Sequence, residues 1–127
     1  MGLISVQVGK MDVSKVPKEY AKTANTAMEN AVKDAIKGDE ALTDKKGEGY
    51  TIGLSVTGIK VEAKGVSCTL AGEIVRFPKR EMLSTSIRNG AEANGGKPDA
   101  LVKQCVGAAA EGMMKKIVPV LKAQARS

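Results

Sequence analysis

From Leu3 to Gly9 apolar and polar positions alternate, with Ile4, Val6 and Val8 on one side and Ser5 and Gln7 on the other. That is the period of a half-buried strand. The period then lengthens: Val16, Tyr20, Ala24, Ala27, Ala31 and Ala35 recur at helical spacing, and Met28, Val32 and Ile36 widen the stripe. Ser14 stands at an N-cap position, Pro17 suits a first turn and Gly38 supplies a stop, which predicts a first helix between them. Its stripe is mostly alanine, so the helix should lie close against whatever it covers. The stretch 39–49 is polar and reads as a solvated connection.

Strand period returns at Tyr50, with Ile52, Leu54 and Val56 on one face. Ile59 and Val61 continue on the opposite parity. One extra residue absorbed near Thr57-Gly58, as a bulge, keeps both apolar sets on the core side. After the Lys64-Gly65 turn, Val66, Cys68, Leu70 and Ile74 alternate with Ser67, Thr69 and Glu73 in a third strand. Phe77-Pro78-Lys79-Arg80 reverses the chain into a fourth strand, Glu81 to Arg88, in which Leu83 and Ile87 share a parity. Asn89-Gly90 and Asn94-Gly95-Gly96 read as a flexible loop. Pro98 and Asp99 open a second helix whose stripe runs through Leu101, Val102, Cys105, Val106, Ala109, Met113, Ile117, Val120 and Leu121. Pro119 should kink or end it near Ile117.

The predicted order is strand, helix, three strands in a meander, helix. The expected fold is a single α+β domain over 1–127: a four-stranded, mainly antiparallel sheet (β-α-β-β-β-α) with both helices on one face. The other face would stay open, carrying Ser55, Thr57, Lys60, Glu62, Ser67, Thr69 and Glu73.

Composition narrows the chemistry. The 127 residues include no histidine, no tryptophan and one phenylalanine, which removes most tools of catalysis, metal binding and base stacking. Twenty Lys+Arg against 14 Asp+Glu give a net charge of +6, suited to acidic partners or simply to a soluble basic surface. No apolar run approaches the roughly 20 residues of a membrane span. Met1-Gly2-Leu3-Ile4-Ser5 lacks the regions of a signal peptide, which leaves a periplasmic or secreted home and a cytoplasmic one both open. The acidic residues show no calcium-loop spacing, the glycines before the second helix lack the phosphate-loop endings, and no cofactor or metal is expected.

The two cysteines fall on apolar stripes, where a thiol behaves as a small hydrophobe. Cys68 points to the core face of the sheet and Cys105 lies on the helix expected to cover that face. A strand-to-helix disulfide is therefore open if the compartment oxidises, with reduced core thiols as the alternative.

The stretch Tyr50-Thr-Ile-Gly-Leu-Ser-Val-Thr-Gly-Ile and the helix Val106-Gly-Ala-Ala-Ala-Glu-Gly-Met-Met carry a pattern that resembles small bacterial envelope domains, the TolB amino-terminal and LpoB-type lipoprotein kind. The resemblance implies a periplasmic, non-catalytic domain that binds another envelope protein. Without its first strand, the order helix, three strands, helix is similar to a double-stranded RNA-binding domain. Gly95-Gly96-Lys97 and Ala108-Ala109-Ala110 echo that family's second helix, but Pro98, Asp99 and Ala100 stand where its lysines belong.

The first functional expectation is thus a non-enzymatic envelope protein-binding domain, recruiting a partner or a second copy through the polar sheet face or a sheet edge. Its contact residues would be Lys60, Glu62, Thr69, Glu73, Lys79 and Arg80. The alternative is nucleic-acid binding with Lys15, Lys18, Lys22, Lys97 and Lys103 on phosphates. A carboxylate enzyme using Glu62 and Glu73 on adjacent strands ranks last, because solvated strand faces commonly carry such charges.

Overall fold

The computed structural model of the chain describes residues 3–45, 49–77 and 81–126. Its elements are β1 (Ile4–Asp12), α1 (Lys18–Lys37), β2 (Leu42–Thr43), β3 (Gly49–Glu62), β4 (Gly65–Phe77), β5 (Glu81–Asn94) and α2 (Pro98–Arg126). They form one five-stranded sheet in the order β2-β1-β3-β4-β5. β1 runs parallel to both of its neighbours, and β3, β4 and β5 make an antiparallel meander.

The sheet is mixed and five-stranded, which overturns the expected four-stranded, mainly antiparallel arrangement. The reason lies in the connection through α1. A helix between two strands returns the chain to the end from which it started, so β3 sets off alongside β1 in the same direction. The fifth strand comes from the segment read as a solvated connection. There Asp39 turns the chain by accepting from the Ala41 N–H, and Leu42, 6% exposed, enters the core beside Ile4.

Four boundaries also differ from the sequence reading. β1 continues past Gly9 because Gly9 and Lys10 together oppose the single residue Gly53, a bulge that turns Met11 back into the core. Ser14 does not cap α1; its N–H donates to Asp12 Oδ1 at 2.9 Å, and Pro17 occupies the N-cap. Asn89 and Gly90 belong to β5 rather than a loop, paired with Leu70 and Thr69. α2 runs through Pro119 to Arg126, since Ile117 and Leu121 on either side of the proline are both fully buried and anchor the helix across it.

The predicted bulge in β3 is present: Val56 pairs with Leu70 and Gly58 with Thr69, which leaves Thr57 as the extra residue and brings Ile59 opposite the core residue Cys68. Both helices pack on one face of the sheet, α1 over β1 and β2, α2 over β3, β4 and β5, and against each other. They lie with like ends together. At the C-terminal ends Lys122 Nζ meets Asp39 Oδ2 at 2.8 Å, and at the N-terminal ends Tyr20 lies within electrostatic reach of Asp99.

Small residues let these layers approach. Ala24, Ala27 and Ala31 of α1 and Ala109 and Ala110 of α2 are buried at the helix contacts. Gly72 of β4 lies directly beneath α2, where a Cβ would run into Met113 Cε and come within 3.1 Å of Ile117 Cδ1. Asn89 of β5 fills the space over Gly112 and donates from Nδ2 to the Ala109 carbonyl at 3.1 Å.

Candidate docking surface on the open sheet face

The side of the sheet away from the helices carries the alternate residues of each strand. Across β3, β4 and β5 the register sets them in rows: Lys60, Ser67 and Glu92; then Gly58, Thr69 and Gly90; then Ser55, Ala71 and Arg88. Thr69 stands exposed because both of its cross-strand neighbours are glycine. The first two rows line a shallow depression of about 700 Å³, formed by Gly58, Lys60, Ser67, Thr69, Gly90 and Glu92 among others. The bulge stiffens its floor: Thr57 Oγ1 donates to the Thr69 carbonyl at 3.1 Å and lies 3.0 Å from Thr69 Oγ1.

Charges sit at the two ends of this face. At one end Lys60 Nζ pairs with Glu62 Oε1 at 3.2 Å, with side chains 75% and 60% exposed. A pair so exposed holds its partners by about 0–1 kcal/mol, so both charges stay available to another molecule. Glu92 lies two strands from Lys60, roughly 10 Å away by strand spacing. At the other end Glu73 opposes Gly53, and Lys10, Asp12, Ser55 and Glu73 line a second hollow of about 340 Å³. There the Ser14 backbone N–H, then its side chain, holds the Asp12 carboxyl below its ordinary value.

Of the six contact residues expected from sequence, Lys60, Glu62, Thr69 and Glu73 are exposed on this face. Lys79 and Arg80, with the turn at Pro78, lie outside the described residues. Glu92 falls after Asn89-Gly90, which looks like a loop from sequence, whereas Arg88 closes the predicted fourth strand without standing out as a contact; the alternation of Arg88, Gly90 and Glu92 with Asn89, Ala91 and Ala93 is the available signal. Lys10 and Asp12 were missed because the Gly9-Lys10 bulge hides their parity. Glu62 and Glu73, the carboxylate pair considered for catalysis, are not brought together: Glu62 opposes Gly65 and Glu73 opposes Gly53, nine residues apart along β3 and so roughly 30 Å distant.

On the core side, Cys68 and Cys105 face each other with their sulfurs 2.8 Å apart, and Cys105 Sγ donates to the Ala91 carbonyl at 3.2 Å. They are 4% and 0% exposed. Burial, the largest cause in each case, raises both thiol pKa values. Lys15, Lys18, Lys22, Lys97 and Lys103 are all exposed, before or within the opening turns of the two helices. Among the described residues no three His, Cys, Asp or Glu side chains cluster as metal ligands would, and no helix is long and apolar enough to cross a membrane.

No protein-family model and no curated protein matches the chain. Its fold is similar to that of solved bacterial structures. The protein XCC0632 from Xanthomonas campestris, of the DUF330 family, aligns with a TM-score of 0.67 at 12% identity, over 97% of this chain and 88% of that one. A PelC dodecamer from Paraburkholderia phytofirmans, carrying a single substitution, gives 0.55 at 9% identity, over 90% and 91%. A candidate lipoprotein from Caulobacter crescentus CB15 gives 0.51 at 10% identity, over 94% and 89%. At such identities the likeness is one of fold.

Proposed function

We propose that this chain is a non-enzymatic, protein-binding domain of the bacterial envelope that docks a protein on its uncovered sheet face and the adjoining β5 edge. The observation that carries the reading is the make-up of that face. Gly58, Ser67, Thr69, Ala71 and Gly90 give it a low centre that another backbone can approach closely, and Lys60, Glu62, Glu73 and Glu92 give it charges of both signs that would fix an orientation. β5 is an outer strand of 14 residues whose far side pairs with no strand of the described sheet, a template for strand addition.

The envelope part of the reading draws on the fold shared with a candidate lipoprotein and with PelC, and on the pattern resemblance to TolB amino-terminal and LpoB-type domains. The PelC structure is a dodecamer, so the partners to test are a second copy at the β5 edge and another envelope protein on the face. Photo-crosslinking residues introduced singly at Thr69 and Glu73, and as controls at the exposed helix positions Lys33 and Glu111, test it in the native host. Protein adducts should form from the sheet positions and not from the helix positions. Adducts from the helix positions alone reject the proposal.

A second reading has one observation in its favour. The lysines at 18, 22, 97 and 103 belong to helix starts that lie at the same end of the helical layer, where two helix N-termini add positive potential. If that end binds nucleic acid, affinity for duplex RNA or DNA falls steeply with salt. Absence of retention at low salt removes this reading.

A further inference from the structure

We propose that Cys68 and Cys105 form a structural disulfide joining β4 to α2, installed while the chain folds and sealed from solvent afterwards. This does not rest on the docking proposal, since the pair lies on the opposite side of the sheet from the docking face. The geometry is that of two side chains directed at each other: Cys68 on the helix-facing side of a central strand, opposite Ile59 and Ala91, and Cys105 on the buried stripe of the helix packed over it. Val66, Leu70, Val102, Val106 and Ala109, all buried, belong to the same two surfaces and hold the pair in register.

The balance of the step is simple. The thiolate of one cysteine attacks a small-molecule or protein disulfide, RSSR, forming a mixed disulfide and releasing one RSH. The other thiol then attacks the mixed disulfide at the protein sulfur, and the second RSH leaves. The two cysteines lose two electrons and two protons, the Cys68–Cys105 bond forms, and RSSR is reduced to two RSH.

Timing follows from burial. In the folded chain neither sulfur can be reached by RSSR, and burial also holds both thiols in the unreactive protonated form. The bond therefore forms before α2 settles on the sheet. Once α2 has settled, the same shielding protects the bond from reductants. The redox state present during folding is thus kept by the folded protein.

The test starts from reduced chain unfolded in guanidinium and refolded in two ways: with glutathione disulfide and glutathione present, or with a reductant that is then removed before glutathione disulfide is added. Thiols are alkylated under denaturing conditions and counted by intact mass, and the linkage is read from peptide maps. Refolding with the disulfide donor should give a monomer with no alkylatable thiol and a Cys68–Cys105 cross-linked peptide. The chain folded first should oxidise at least about a hundredfold more slowly than the unfolded chain. As a control, Cys68→Ala combined with Cys105→Ala should show one urea midpoint with and without reductant, whereas the oxidised native sequence shifts to a lower midpoint when unfolded with reductant present. Two free thiols or glutathione adducts after refolding with the donor overturn the disulfide. Equal oxidation rates before and after folding overturn the sealing.

Discussion

Substituting Gly72 by alanine probes the closeness of helix and sheet. The new methyl would overlap Met113 Cε, approach Ile117 Cδ1 to 3.1 Å and Leu54 Cδ2 to 3.5 Å, and all three of those side chains are at most 1% exposed. Overpacking of a full core costs about 1–3 kcal/mol. Replacing glycine within a strand returns about 0.5–1 kcal/mol through backbone entropy. Gly72→Ala should therefore lose up to about 2.5 kcal/mol. Met113→Ala alone should lose about 2–5 kcal/mol, because it empties part of a buried site. Combined, the new methyl occupies space that the methionine vacated, so the double variant should lose at least about 1 kcal/mol less than the sum of the singles. Urea unfolding followed by circular dichroism measures all three. A stabilising Gly72→Ala, or single effects that add within about 0.5 kcal/mol, would refute the close approach of α2 to β4 at this point.

Gly9→Ala places a methyl 2.6 Å from Thr51 Cγ2 and 2.9 Å from the Ile52 carbonyl oxygen, so it should cost about 1–3 kcal/mol in the same assay by forcing β1 away from β3. Pro119→Ala restores a donor within a continuous helix and should raise stability by about 1–3 kcal/mol, read as a higher thermal midpoint; a lower one would contradict the observed helix through this position. Lys122, and after it the Ala41 N–H, hold the Asp39 carboxyl below its ordinary value. The folded chain therefore binds fewer protons there than the unfolded one, and this contribution is complete above about pH 5 and lost as pH falls through about 4 and below. Asp39→Asn should accordingly flatten the fall of the urea midpoint between those pH values, and an unchanged slope would show that the pair contributes nothing.

The elements were legible where a single period ran unbroken. The alternation of β3 and β4, including the bulge at Thr57, and the stripes of both helices led to the helix-facing core and to the exposed positions Lys60, Glu62, Thr69 and Glu73. Legibility failed where a local signal was overruled by partners distant in sequence. Gly9-Lys10 looks like the end of a strand, yet β3 lies alongside and holds the chain extended to Asp12. Asn89-Gly90 looks like a turn, but Asn89 has a niche over Gly112 and a helix carbonyl to donate to, and Gly90 lets β5 pass close to Thr69. Leu42-Thr43 is too short to show a period, and only the neighbouring Ile4-Ser5 makes it a strand. The rim charge Glu92 lies beyond that turn-like pair, so the far half of β5 on the proposed docking face was invisible from sequence.

The docking face itself is tested most directly by comparing the native chain with one carrying Lys60→Ala, Glu62→Ala, Thr69→Ala and Glu73→Ala together, each expressed in the native host and sized by gel filtration of the gently solubilised extract. All four side chains are exposed, so the variant should fold with an unchanged circular dichroism spectrum. The native chain is predicted to elute in a larger assembly than the variant, which has lost the protein held on the face and keeps at most the association through the β5 edge. A correctly folded variant that remains in the same assembly would contradict the assignment of this face.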